Sequence, residues 1–269
     1  MKLAIAGKGG SGKTSISGTL ARMIGRDGHT VLAIDGDTNP NLALTLGIPA
    51  DRFNDVPVLP SGLIERTGDG IVLKKSLAEL RESHSVSGPD HVTLLVMAHP
   101  HEEDAGTGCY CGMHATVREL IETVGDADED FCVLDTEASP EHLTRGTSKY
   151  ADVMLAVVEP YFKSLETGRR MAELARGLGL DQIALLANKI RTEADLDAVK
   201  EFAEKHELRL AGVVPFDETF AAAERAAVAP LDHDPDSPAV RAIGEIAAHL
   251  IQMDADGHGR AASEEARRQ

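Results

Sequence analysis

Short apolar runs alternate along the chain with stretches whose apolar residues recur at helical spacing. The runs are Leu3–Ala6, Val31–Ile34, Val92–Met97, Phe131–Leu134, Val153–Val158, Ile183–Ala187 and Leu210–Val214. Their hydrophobicity is continuous rather than alternating, which suits strands of a parallel sheet covered on both faces. The helical stretches are Thr14–Arg26, with Ile16, Leu20 and Ile24 on one face, then Leu165–Leu178, Ala194–His206 and Ala239–Met253. The last has a clear start, with Ser237 as N-cap and Pro238 at the first helical position. The alternation predicts an α/β fold, a doubly wound and mostly parallel sheet of about seven strands with helices on both faces. No linker or internal repeat divides the chain. Residues 1–253 therefore read as one domain, and 254–269, small, polar and charged, as a disordered tail. The stretch Val56–Gly88, mixed in Pro, Gly, Ser and charge, predicts no clear element.

The turn after the first apolar run reads Gly7-Lys8-Gly9-Gly10-Ser11-Gly12-Lys13-Thr14-Ser15. It fits G-x-x-x-x-G-K-[ST] in the strand–turn–helix setting that a phosphate-binding loop requires. Glycines at 9, 10 and 12 let the N–H groups around Ser11 converge on an anion without Cβ clashes, and the helix N-terminus adds its dipole. Lys13 can reach the β- and γ-phosphates of a nucleotide, and the Thr14 hydroxyl can ligate Mg²⁺. The fold is thus of the P-loop NTPase type, with ATP or ADP and Mg²⁺ as expected ligands. Asp35 and Asp37 follow the second strand two residues apart, so both can face the carboxyl edge of the sheet. One acid near Mg²⁺ and one near an attacking water would meet the needs of phosphoryl transfer. Phe131-Cys132-Val133-Leu134-Asp135 ends an apolar strand in a carboxylate that could hold Mg²⁺ through water. Asn188 closes the sixth strand where an amide can pair with a purine edge, and Pro215-Phe216 could close over the base.

Composition narrows the partners. With 27 Lys and Arg against 44 Asp and Glu, the net charge is −17, which disfavours nucleic acid and anionic membranes. No apolar run is long enough to span a bilayer, and the chain opens on a strand, so a cytoplasmic protein is expected. Three cysteines there argue against a disulfide framework and leave metal or redox chemistry open.

These pieces resemble the deviant Walker A ATPases, the class of the nitrogenase iron protein, MinD, ParA and ArsA. The likeness rests on Lys8, the second lysine of the loop. The resemblance implies a homodimer that sandwiches ATP, with Lys8 reaching the partner's phosphates. Lys8, Lys13 and Asp37 would be catalytic, Asp37 orienting the attacking water, while Asp35 and Asp135 serve Mg²⁺. Within the class, Cys109-Tyr110-Cys111, Glu141-His142-Leu143-Thr144-Arg145-Gly146-Thr147 and Val158-Glu159-Pro160 resemble the CooC-type ATPases, which mature nickel carbon monoxide dehydrogenase. That similarity runs from Met1 to about Phe220. One departure stands out. The family's second switch reads Asp-x-x-Ala-Gly, whereas here Asp135-Thr136-Glu137-Ala138 is followed by Ser139-Pro140, a stiffer pair.

The Cys109-x-Cys111 spacing is too short for an easy intrachain disulfide, and two thiolates are half of a tetrahedral site. Two chains related by a twofold axis would supply four, so the spacing implies a metal shared across a dimer, and thiolate softness allows Ni²⁺, Zn²⁺ or Cu⁺, with Ni²⁺ or Zn²⁺ expected. Gly106, Gly108 and Gly112 flank the pair and predict an exposed loop. His99, His101 and His114 lie near in sequence but read as solvated loop residues. The reading that follows is a dimeric ATPase handling nickel for a client metalloenzyme. The alternatives are a MinD/ParA-like positioning switch without metal and an electron-transfer ATPase with an Fe–S cluster.

Overall fold

The computed structural model describes residues 1–68, 70–99, 111–124 and 129–268. Among these residues are ten strands and ten α-helices. They begin β1 Lys2–Gly7, α1 Lys13–Arg26, β2 Val31–Gly36, α2 Leu42–Thr45, β3 Ile64–Thr67, β4 Gly70–Leu73, α3 Leu77–His84, β5 Ser85–Ser87, β6 Val92–Val96 and α4 Cys111–Thr123. They continue β7 Phe131–Thr136, α5 Glu141–Thr144, β8 Val153–Val158, α6 Phe162–Gly177, β9 Gln182–Ile190, α7 Glu193–Lys205, β10 Arg209–Pro215, α8 Glu218–Arg225, α9 Pro230–His233 and α10 Pro238–Arg268.

Eight strands form one sheet in the order β10-β9-β8-β1-β7-β2-β6-β5, and β3 and β4 form a separate hairpin. Every pairing within the large sheet is parallel except β5 with β6. The strand beyond the seven expected, β5, is three residues long, too short to leave a periodic signal.

Alternation along β1 explains the two-sided core. Leu3 and Ile5 pack with Ile16, Leu20 and Ile24 of α1 and with Ile243 of α10. Ala4 and Ala6 face Val117 and Leu120 of α4 and Met171 of α6 on the other side. Successive side chains of a strand point to opposite faces, so a strand buried on both must be apolar throughout.

The start signal of α10 is as read: Val240 N–H donates to Ser237 Oγ at 3.3 Å. Its end is not. Composition marked 254–269 as a disordered tail, whereas α10 is helical through Arg268. Ala, Glu and Arg between residues 260 and 268 are strong helix formers, and that local preference outweighs the lack of an apolar face.

Arg22 of α1 is buried between two acids distant in sequence, Asp90 in the turn before β6 and Asp232 in α9. Its Nε donates to Asp90 Oδ2 at 2.7 Å and its Nη1 to Asp232 Oδ2 at 2.5 Å. Asp90 is left-handed (φ 58°), a conformation Asn tolerates as well as Asp. Asp90→Asn keeps shape and backbone but leaves the Arg22 cation short of one charge. We expect a loss of about 2 kcal/mol in urea unfolding, below the range for a fully enclosed pair because Asp232 remains and Asp90 is partly solvated.

Candidate functional site

The carboxyl ends of β1, β7 and β2, adjacent strands at the centre of the sheet, converge on one edge. The glycine turn leaves β1 there with Gly7, Gly10 and Gly12 all at positive φ. A Cβ on Gly7 would lie 2.6 Å from the Val157 carbonyl, and one on Gly12 would collide with the Asn188 amide nitrogen. The turn therefore cannot carry side chains at those positions, and its backbone is left open to an anion. Ser11 Oγ is buried without a hydrogen-bond partner. The Lys13 amine, almost wholly buried, has a single weak partner, the Lys8 carbonyl at 3.5 Å. Burial lowers the Lys13 pKa, opposed by the Asp135 and Asp37 carboxylates. Such orphaned donors fit a bound phosphate.

Asp35 and Asp135 stand abreast, in register on β2 and β7, and both are 1% exposed. Burial, reinforced at Asp35 by Asp135, pushes both carboxyl groups above the usual range. Asp35 accepts from the N–H groups of Asn41 and Leu42, each at 2.9 Å, and of Asp37 at 3.2 Å. Asp135 accepts from Ser17 Oγ at 3.0 Å and from the Thr14 hydroxyl. Two crowded carboxylates beside a threonine hydroxyl are a donor set that a hard divalent cation fits. Asp37 is half-buried, and its Oδ1 accepts from Asn39 N at 2.9 Å. The loop after β7 approaches the glycine turn: a Cβ on Gly9 would lie 3.7 Å from Ala138 Cβ.

A cleft of about 870 Å³ opens beside the turn, lined by Gly10, Gly12, Lys13, Thr14, Ser15, Asn188, Pro215 and Phe216 among others. The structure brings these residues of the expected site to one cleft. The Asn188 amide is engaged, however. Its Nδ2 donates to Ser11 O at 2.7 Å and its Oδ1 accepts from Lys189 N at 2.9 Å. It braces the glycine turn, and one N–H and one oxygen lone pair of the amide remain for a base edge.

Two further features escaped sequence reasoning. Lys189 is left-handed (φ 59°), and its Nζ bridges Gly10 O at 2.5 Å and Glu159 Oε1 at 2.9 Å. The Arg191 guanidinium stacks 3.3 Å above the Phe216 ring and flanks the cleft. Only the basic residue after Asn188 hinted at the first, and β9 runs on to Ile190, beyond the strand end expected at Asn188 and Lys189. Lys8 lies with its Nζ 5.9 Å from the Tyr161 ring centroid.

The cysteine segment needs correction. Cys109 and His101 lie outside the described residues. Cys111 is exposed as expected, but it is the first residue of α4 rather than part of a loop. Met113, Val117, Leu120 and Ile121 recur at helical spacing and are all buried, which is what makes the segment a helix. Cys111 is disulfide-bonded, where the spacing predicted a thiol; a reducing compartment favours the thiol state. His114, read as solvated, is fully buried because it sits on the inward face of α4. His99 is exposed. Among the described residues no three Cys, His, Asp or Glu side chains gather as a metal-binding group.

Residues 2–227 match the family model of the CobQ/CobB/MinD/ParA nucleotide binding domain. The chain belongs to that family. It is accordingly a P-loop ATPase. It is 34% identical over 246 residues to the carbon monoxide dehydrogenase accessory protein CooC of Rhodospirillum rubrum, covering 87% of this chain and 91% of that one. It is 36% identical over 225 residues to an uncharacterized ATP-binding protein of Methanocaldococcus jannaschii, covering 81% and 86%. Among solved structures, the MinD cell division protein of Aquifex aeolicus superposes with a TM-score of 0.70 at 20% identity, covering 93% of this chain and 96% of that one. MinD of Pyrococcus horikoshii complexed with Mg-ADP also gives 0.70, at 19% identity, covering 93% and 95%. Among the described residues no helix is long and apolar enough to cross a membrane.

Proposed function

We propose that the chain is a homodimeric ATPase that couples ATP binding and hydrolysis to the handling of nickel for a carbon monoxide dehydrogenase. The likeness to the accessory protein of Rhodospirillum rubrum carries this reading, together with the Cys109-x-Cys111 pair of the sequence. The turn from Gly9 to Ser15 holds the phosphates, with Lys13 against the β- and γ-groups. Mg²⁺, held by Thr14 and, directly or through water, by Asp35 and Asp135, supplies the charge that neutralises those phosphates. Asp37 orients the attacking water, and Lys8 is given to the partner's nucleotide. Pro215 and Phe216 border the base, with Asn188 behind the turn. ATP favours the closed dimer, in which two reduced Cys109/Cys111 pairs form one four-thiolate site; hydrolysis reopens it and releases the metal.

Metal analysis of protein purified with reductant and without oxygen tests the reading. About one nickel or zinc ion per two chains is expected. Protein without metal would favour a MinD/ParA-like switch, the reading to which the fold alone points. A brown Fe–S chromophore would favour an electron-transfer ATPase.

Asp37→Ala should bind ATP but turn it over about a hundredfold more slowly, because a positioned water is lost while phosphate contacts stay. The variant should accumulate as an ATP-loaded dimer in size exclusion with light scattering. A monomer under those conditions would remove Asp37 from the hydrolytic step.

A further inference from the structure

A cluster of polar side chains lies between α4 and the loop that follows β7. His114 projects into it from α4, three positions beyond Cys111, and is 0% exposed. Its Nδ1 lies 3.2 Å from Thr147 Oγ1. Its Nε2 faces Glu137 Oε2 at 3.4 Å. Neither of these two atoms has a hydrogen-bond partner, although both are buried. Glu137 is the first residue after β7, in the segment that leads from Asp135 to Ala138, which faces Gly9. Arg145 stands 3.7 Å from the same Glu137 oxygen, and Arg118 of α4 donates to the Arg145 carbonyl at 3.2 Å.

Burial, with help from Arg145, takes the His114 pKa down to about 4, and burial takes that of neighbouring His142 to about 3. Both rings are therefore neutral near pH 7. A neutral His114 that accepts from the Thr147 hydroxyl on Nδ1 carries its proton on Nε2, aimed at Glu137. The pair is a few tenths of an ångström too far apart for a good bond, and two buried polar groups left unpaired are costly. A small shift of the loop toward α4 satisfies both at once. A shift away leaves both orphaned. The contact therefore favours one loop position over another by an amount set at α4.

We propose that His114 is a positioning residue: by making or breaking its Nε2–H···Oε2 bond to Glu137, it couples the nucleotide-dependent position of the loop after β7 to the Cys111 end of α4. The proposal deepens the reading given above, since it supplies the route between the ATP site and the cysteines. It does not require that the cysteines bind metal.

The test reads the Cys111 thiol directly. In full-length Cys109→Ser protein under reductant, Cys111 is the exposed thiol, while Cys132 is buried with its pKa pushed up to about 12 and is unreactive. The alkylation rate is measured with Mg-ADP and with a non-hydrolysable Mg-ATP analogue. The two rates should differ by about fivefold or more, in the usual range of coupling between sites. His114→Asn, whose amide reaches Thr147 but not Glu137, should bring the ratio to near unity with nucleotide affinity intact. Glu137→Ala removes the same link without touching the core and should do likewise. His114→Gln, whose longer amide restores a donor toward Glu137, should recover the ratio. Equal rates in the parent protein, or a ratio that survives both His114→Asn and Glu137→Ala, would overturn the proposal. Absence of bound nickel or zinc would defeat the metal reading while leaving this result standing.

Discussion

Lys8→Ala should lower ATP hydrolysis by about a thousandfold while leaving nucleotide binding by the single chain near its original strength. The magnitude is that of a cation supplied in trans to a phosphoryl-transfer site. The geometry explains why binding is spared. The Lys8 amine lies toward the Tyr161 ring, whereas the cleft beside the glycine turn is lined by Gly10, Gly12, Lys13, Thr14 and Ser15. Hydrolysis should in turn depend on protein concentration, because the missing charge arrives only with a second copy. Mixing Lys8→Ala with a chain disabled in its own nucleotide site, such as Lys13→Ala, decides the matter. Under the trans model, Lys13→Ala chains donate Lys8 to intact sites on the Lys8→Ala chains, and activity returns. Two inactive proteins that stay inactive when mixed, or a Lys8→Ala chain with full turnover, would place Lys8 outside the reaction.

Changing Cys109 and Cys111 together to Ser should abolish stoichiometric Ni²⁺ or Zn²⁺ binding. Hydroxyls are poor ligands for these ions where thiolates are good ones. The fold and ATP site should persist, because Cys111 is exposed at the first position of α4 and the helix is anchored further on by Met113, Val117 and Leu120. Metal-dependent association should be lost and ATP-dependent association kept. Titration of reduced protein followed by thiolate-to-metal absorbance, with mass from light scattering, measures both. If the double variant still takes up one metal per pair of chains, the cysteines are not the site.

The central sheet and the phosphate turn were legible because strong local rules coincide there. β1, β2, β7 and β8 are buried on both faces and so are continuously apolar, and the glycines of the turn have no other use. The acids were legible because strand ends place them on one edge. α4 was not, since Gly112 and a histidine at its start hide a helical stripe that begins only at Met113. β3, β4 and β5 are short, and three of the four residues in β3 are exposed, so no apolar period survives to mark them. The engagement of Asn188 and the Lys189 bridge depend on which backbone carbonyls the fold brings near, information that residue types do not carry. The buried state of His114 follows from helix phase, which was lost with the helix itself.

The strand order also governs when the site comes into being. β1 emerges first, yet Leu3 pairs with Val133 on one side and Val153 on the other, and Asp35 meets its counterpart only at Asp135. The phosphate turn therefore leaves the ribosome long before the strands that hold it. Pairings of such sequence separation form slowly, because the loops they close cost entropy before the contacts return anything. A nascent chain that ends short of β7 has the nucleotide signature but no cradle. A ligand held by the assembled site therefore stabilises the completed sheet and not the early chain.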